Sequence, residues 1–100
     1  MKNLNIEISE TVKKNVTLPE YFKTTDSNFY KIVDKETNIR VQYYGEELHL
    51  IQLNLYPQIS VGSNYTIYLF IDREIQEISK EEFDNALNKA MSIVAKVAEI

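Results

Sequence analysis

Residues 79–99 read SKEEFDNALNKAMSIVAKVAE and predict a long amphipathic helix. Ser79 followed by Glu82 has the spacing of a capping box, so we expect the helix to occupy residues 80–99. Apolar residues recur at helical spacing after this start. They are Phe83, Ala86, Leu87, Ala90, Val94 and Val97. The small alanines should let the helix lie close on a sheet, where Phe83, Leu87, Met91 and Val94 fill the interface.

Upstream of this helix, alternating apolar and polar residues predict strands. Leu4, Ile6 and Ile8 alternate with polar residues, and the later segments are rich in β-branched and aromatic side chains. The five predicted strands are residues 3–9, 29–33, 39–44, 48–55 and 66–71. In the last of them both faces are apolar, which favours a strand in the centre of the sheet or one that is covered on both faces.

A short helix over residues 18–24 is predicted between the first two strands. Thr17 and Glu20 have the capping-box spacing, and Pro19 suits the first turn of a helix.

Gly45-Glu46 predicts a two-residue type II′ hairpin, because glycine accepts positive φ at the first central position. That turn pairs Tyr43 with Leu48 and Val41 with Leu50. A one-residue bulge near residues 50 and 51 would then keep the following apolar residues on the core face. The competing interpretation is a three-residue loop without a bulge, which places His49 on the core side. Residues 57–64 form the longest irregular connection, with an extended stretch at 59–61.

These elements predict one α+β domain over residues 1–100, a mostly antiparallel five-stranded sheet in the order β-α-β-β-β-β-α with a long C-terminal helix. The order resembles a shortened helix-grip arrangement, in which a curved sheet wraps a C-terminal helix. That resemblance implies a pocket between sheet and helix, lined by Tyr43, Leu53 and Leu69.

Charge and composition exclude several classes of function. The net charge of −4, from 15 acidic and 11 basic residues, disfavours binding to nucleic acid or to anionic membranes. The chain has no cysteine and no apolar run that fits a signal peptide or a membrane span, so we expect a cytoplasmic protein. His49 is the only histidine. With no second histidine, no cysteine and no serine in the glycine context of a nucleophile elbow, a catalytic triad or an imidazole-rich metal site cannot be assembled. We therefore expect no enzyme, metal or cofactor.

An acidic segment surrounds the start of the C-terminal helix. Its carboxylates are Asp72, Glu74, Glu77, Glu81, Glu82 and Asp84. Acidic residues in a first helical turn interact favourably with the helix dipole, and this explanation is preferred. The functional alternative is a small acidic inhibitor encoded by a mobile element, with this segment bound to a basic partner.

Aromatic residues are expected to collect on the sheet face opposite the C-terminal helix. They are Tyr30, Tyr44, Tyr56, Tyr68 and Phe70. Such a face suits binding to a protein partner or to a second copy, or it is covered within the chain as a second small core. The leading hypothesis is a non-enzymatic interaction module that binds a protein partner or forms a homo-oligomer through its aromatic face. The alternative is a small-ligand carrier or enzyme with the helix-grip pocket. Strand addition at an uncovered sheet edge is a further mode of recognition, although alternation does not locate that edge.

Overall fold

The computed structural model describes residues 2–7, 13–25, 27–34, 36–63 and 75–99. Its strands are β1 (Lys2–Glu7), β2 (Lys13–Leu18), β3 (Glu20–Thr25), β4 (Asn28–Ile32), β5 (Thr37–Gln42), β6 (His49–Ile51), β7 (Asn54–Tyr56), β8 (Gln58–Ser63) and β9 (Gln76–Glu77). Helix α1 (Lys80–Ala95) follows and continues into a 3-10 helix, Lys96–Glu99.

The main sheet has five antiparallel strands in the order β8-β5-β4-β3-β9. Strands β1 and β2 form a separate two-stranded sheet, and β6 pairs with β7 as a small hairpin. Helix α1 packs against the main sheet. The predicted α+β class, with an antiparallel five-stranded sheet and one C-terminal helix, is confirmed.

Helix α1 begins where its sequence predicts. The Ser79 Oγ accepts a hydrogen bond from the Glu82 backbone N–H at 3.0 Å, which caps the first turn. The buried face is a narrow stripe of Phe83, Ala86, Ala90 and Ile93. Two residues expected in the interface are instead exposed, Met91 by 54% and Val94 by 36%, because the sheet lies under one side of the helix only.

Both faces of the main sheet bury apolar side chains. On the face toward α1, Val41 is fully buried in a cluster with Phe83 and Ala90. On the opposite face Phe22 and Tyr30 stack with their ring centroids 5.0 Å apart. Alternating side chains of neighbouring strands therefore contribute to two separate cores.

The predicted short helix over residues 18–24 is wrong. Leu18 ends β2, Pro19 follows a cis peptide bond, and the next six residues form β3 inside the main sheet. Extended backbone sends the Tyr21 ring toward Phe83, at 5.7 Å, and the Phe22 ring toward Tyr30 on the other face. A helix would place adjacent aromatic rings on one side, so burial on both faces outweighs the local capping signal.

The predicted Gly45-Glu46 hairpin is also wrong in its pairing. Gly45 does have positive φ, at 79°, but β5 pairs with β8, and Val41 lies opposite Ile59. The extended stretch at 59–61 is confirmed as part of β8, whereas the irregular connection expected around it is replaced by that strand.

The segment expected to form one strand over residues 48–55 folds back on itself as β6 and β7. The turn between them is formed by Gln52 and Leu53, so neither the bulge nor the three-residue loop occurs.

Two further predictions concern strands. The first predicted strand corresponds to β1, and residues 8 and 9 lie outside the described residues. The strand predicted over residues 66–71 also lies outside them. In the part of the chain that the structure describes, no helix has the length and apolar character needed to cross a membrane.

Candidate interaction surface

The turn of the β6–β7 hairpin holds a leucine in an unfavourable conformation. Gln52 and Leu53 have φ values of 48° and 70°, the left-handed region used by two-residue type I′ turns. Such turns prefer Asn-Gly, because a Cβ atom is crowded at positive φ. The Leu53 side chain is nevertheless 93% exposed, so it gains almost nothing from its own chain. Folding stability therefore does not explain a leucine at this position.

Leu53 borders an apolar groove at one end of the main sheet. The groove has a volume of about 400 Å³ and joins the hairpin, β8 and the C-terminal half of α1. Its apolar lining consists of Leu53, Leu55, Pro57, Ile59 and Val94. Most of these side chains are partly exposed. The groove is thus an apolar surface that the described part of the chain leaves open.

Strand β8 lies beside this groove at the edge of the main sheet. It pairs with β5 on one side, and no strand of the described residues pairs with its other side. Ile59 and Val61 point to the face that carries α1, as their opposite residues in β5 do, and Val61 is 70% exposed. Natural edge strands are usually protected by lysine, proline or a bulge, and residues 58–63, QISVGS, contain neither lysine nor proline.

Residues 48–63, which form the hairpin and β8, make up a surface without formal charge, here called the uncharged surface. No Asp, Glu, Lys or Arg occurs between Glu47 and Asp72, although the chain has 26% charged residues. This uncharged stretch is the sequence signal that could have located the surface. Leu53 and Leu55, which lie within it, were instead expected in the core.

The structure separates the aromatic residues that were predicted to form one face. Tyr30 does lie opposite α1, but it is only 3% exposed and belongs to the second core. Tyr44 is 59% exposed, and its ring lies 6.0 Å from that of Tyr56. Tyr68 and Phe70 lie outside the described residues. The aromatic pair that the structure brings together is therefore Tyr44 and Tyr56, next to the β6–β7 hairpin.

The only histidine packs inside this loop region. The His49 ring meets the Tyr44 ring edge-on at 5.9 Å, and a Cβ atom at Gly45 would lie 2.9 Å from its Nε2. The positive φ of Gly45 therefore favours glycine, and a larger residue there would also displace the imidazole. Among the described residues, no group of three His, Cys, Asp or Glu side chains could hold a metal ion.

The described acidic residues near α1 are partly paired with lysines. Asp72 and Glu74 lie outside the described residues, and Glu77 and Glu81 are exposed in β9 and the first turn of α1. Glu82 lies 3.3 Å from the Lys23 Nζ, and Asp84 pairs with Lys80 one helical turn away. The hydrogen bond and the charge of Asp84 raise the pKa of Lys80. The two ion pairs and the favourable interaction of first-turn carboxylates with the helix dipole explain several of these acidic residues.

A second pocket lies between the sheet and the N-terminal half of α1. It has a volume of about 430 Å³, and its walls include Phe29, Tyr43, Ala86 and Lys89. The Tyr43 hydroxyl donates a hydrogen bond to the Ala86 carbonyl oxygen, and the Lys89 Nζ lies 5.7 Å from the centre of the Tyr43 ring. Burial raises the pKa of Tyr43, and a hydrogen bond with the Ala90 backbone opposes this to a smaller extent.

Only one of the three residues expected to line a sheet–helix pocket is found there. Tyr43 forms a wall of it, Leu53 lies at the tip of the hairpin, and Leu69 is outside the described residues.

Comparisons with known proteins give no relative. No protein-family model matches the chain, and no match is found among curated proteins or solved structures. The surface itself is therefore the basis for a functional proposal.

Proposed function

We propose that this chain is a non-enzymatic, cytoplasmic protein-interaction module that self-associates through the apolar groove and the uncharged surface around it. The observation that carries the proposal is Leu53, an almost fully exposed leucine in a backbone conformation that favours glycine. Burial of a leucine side chain against a partner contributes about 1.5–3 kcal/mol, which is enough to offset the strain of the turn.

Light scattering coupled to size exclusion tests this proposal. We expect the mass to rise from monomer to dimer as the concentration increases from micromolar to millimolar. Leu53→Ser should shift this transition to higher concentration, because it removes the exposed apolar side chain without touching the core. Val33→Ser is the matched control, since it removes a partly exposed apolar side chain outside the uncharged surface and should leave the transition in place. A monomer at every concentration would contradict self-association.

The structure gives less support to the acidic inhibitor. Glu82 and Asp84 already have lysine partners, and paired carboxylates attract a basic protein less strongly than unpaired ones. The uncharged groove, in contrast, requires no opposite charge on its partner.

A second candidate function is binding of a small aromatic ligand in the pocket beside Tyr43. The Phe29 and Tyr43 rings offer apolar walls, and Lys89, Glu46 and Glu82 place charges of both signs around them. Phenol, a neutral aromatic probe, should shift the amide NMR signals around Tyr43 and Lys89, whereas cyclohexanol, the matched non-aromatic alcohol, should shift them less. Equal or absent shifts would exclude selectivity for an aromatic ring.

A further inference from the structure

We propose that two copies of the chain join edge to edge through β8, which pairs in antiparallel orientation with β8 of the second copy. A twofold axis perpendicular to the sheet then creates one continuous sheet with both α1 helices on the same face. This inference rests on the proposed self-association and specifies its geometry.

Within the described residues, one side of the β8 main chain has no partner strand. The ladder to β5 uses only the other side of the strand. Backbone N–H and C=O groups along such an edge form hydrogen bonds readily with an added strand. Residues 58–63 contain no lysine and no proline, so the sequence of β8 does not oppose pairing with its own copy.

The alternation of side chains fixes the register that keeps both helices on one face. Directly opposite residues in an antiparallel pair point to the same face. Ser60 placed opposite Ser60 of the second copy brings Ile59 opposite its Val61. The four apolar side chains then form one row on the face that carries the helices.

The exposed apolar residues of α1 lie on the side where this row forms. Val94 lines the apolar groove together with Ile59, and Met91 lies one turn away on the same side of the helix. Both are exposed in the single chain. The second sheet and helix would cover the groove at this point, which explains why α1 is apolar beyond its buried stripe.

Charge favours a second copy as the occupant. Each chain has a net charge of −4, so two copies repel each other when charged surfaces approach. The surface from β6 to β8 has no charged side chain, and a twofold axis places this neutral surface against itself. A charged partner would gain no ion pair there.

Cysteine cross-linking tests the geometry, because the natural chain has no cysteine and each introduced thiol is therefore unique. Opposite residues of antiparallel strands have Cα atoms about 4.5–5.5 Å apart, within the range that a disulfide bridges. Under mild oxidation, Ser60→Cys should give a covalent dimer. Ser92→Cys, on the exposed side of α1 away from the sheet, is the matched control and should stay monomeric on a denaturing gel.

A lysine on the edge provides an independent test. Val61→Lys should weaken dimerisation by about tenfold or more in light scattering, because two ammonium groups would meet near the axis. Val33→Lys replaces another partly exposed valine, outside β8, and should dimerise like the natural chain.

The outcomes separate the two proposals. A dimer that Ser60→Cys does not link and Val61→Lys does not weaken would overturn the β8 geometry and leave self-association standing. A monomer at all concentrations would overturn both.

Discussion

At the scale of single residues, Leu53 combines an unfavourable backbone conformation with an almost fully exposed apolar side chain. Its φ of 70° lies in the region that glycine enters without crowding at Cβ. A residue whose local preference disagrees with its backbone indicates that something other than folding retains it. The two properties can be separated by substitution.

Leu53→Gly should stabilise the isolated chain and weaken its self-association. Relief of the left-handed strain is expected to raise the free energy of unfolding by about 0.5–1 kcal/mol, after the entropy of glycine in the unfolded state is subtracted. Urea unfolding at low protein concentration measures the first effect, and light scattering measures the second. Leu50→Gly is the control, because Leu50 is also exposed but lies in β6 without positive φ, so glycine there should destabilise the chain. A loss of stability in Leu53→Gly would show that the leucine supports the fold.

Tyr43 links the sheet to the backbone of α1 and predicts a dependence on alkaline pH. Burial raises the pKa of its phenol above the ordinary value of 10.0. The folded state therefore holds this proton at pH values where the unfolded state has released it. The stability contributed by the neutral phenol is complete below pH 10 and is lost as pH rises through the folded-state pKa.

Tyr43→Phe should reduce this pH dependence. Urea midpoints of both chains, measured from about pH 9 to pH 11, should fall more steeply for the natural chain than for the variant, since the variant has no proton to lose at this position. The variant should be less stable at neutral pH, because the Ala86 carbonyl loses the donor that Tyr43 provides. Parallel curves would mean that the buried phenol does not contribute.

At the scale of elements, the local signal at the start of α1 was interpreted correctly, whereas strands whose identity depends on distant contacts were not predicted. The start of α1 depends on Ser79 and Glu82, which lie within one turn, so the sequence alone locates it. The identity of β3 depends on Phe22 meeting Tyr30 and on Tyr21 meeting Phe83. Strand β5 pairs with β8 although the β6–β7 hairpin lies between them in the sequence. The alternation of apolar and polar residues predicts the face on which a side chain lies, but it does not predict which strands are neighbours.

The same limit explains why the role of Leu53 could not be recognised from the sequence. Ile51, Leu53 and Leu55 alternate as a buried strand does, and nothing local marks Gln52-Leu53 as a turn, since neither residue is Gly, Asn or Asp. Tyr44 and Tyr56 were both placed in the predicted aromatic set, but the 6.0 Å distance between their rings depends on the fold of the hairpin, which the sequence does not predict.

Ser79→Ala should destabilise the chain by about 1 kcal/mol, because the Glu82 backbone N–H loses its acceptor at the start of α1. Ser92→Ala is the matched control. It replaces an exposed serine inside the same helix, where alanine has the higher helix propensity, so stability should remain equal or rise slightly. Urea denaturation of the two variants at equal protein concentration provides the comparison. Equal losses in both would indicate that the cap contributes nothing beyond helix propensity.

At the scale of the whole molecule, charge and apolar surface are separated along the chain. The acidic and basic residues lie before Leu48 and after Ile71, and the residues between them form the hairpin, the groove and the edge strand in the described part. In the proposed dimer, two copies would therefore repel through most of their surfaces and meet through a neutral one. This arrangement makes the salt dependence of association a test of which surface is used.

Raising the sodium chloride concentration should strengthen dimerisation modestly or leave it unchanged. Salt screens the repulsion between two chains of net charge −4, and the proposed interface has no ion pair to lose. Sedimentation equilibrium at about 0.05 M and about 0.5 M salt would measure the dissociation constant directly, since the Debye length falls well below the size of the molecule across this range. Val61→Lys, measured in parallel, should recover part of its association at high salt, because its defect includes repulsion between two introduced charges. If association of the natural chain weakened steeply with salt, the contact would have to involve opposite charges, and the acidic residues around α1 would become the surface to test next.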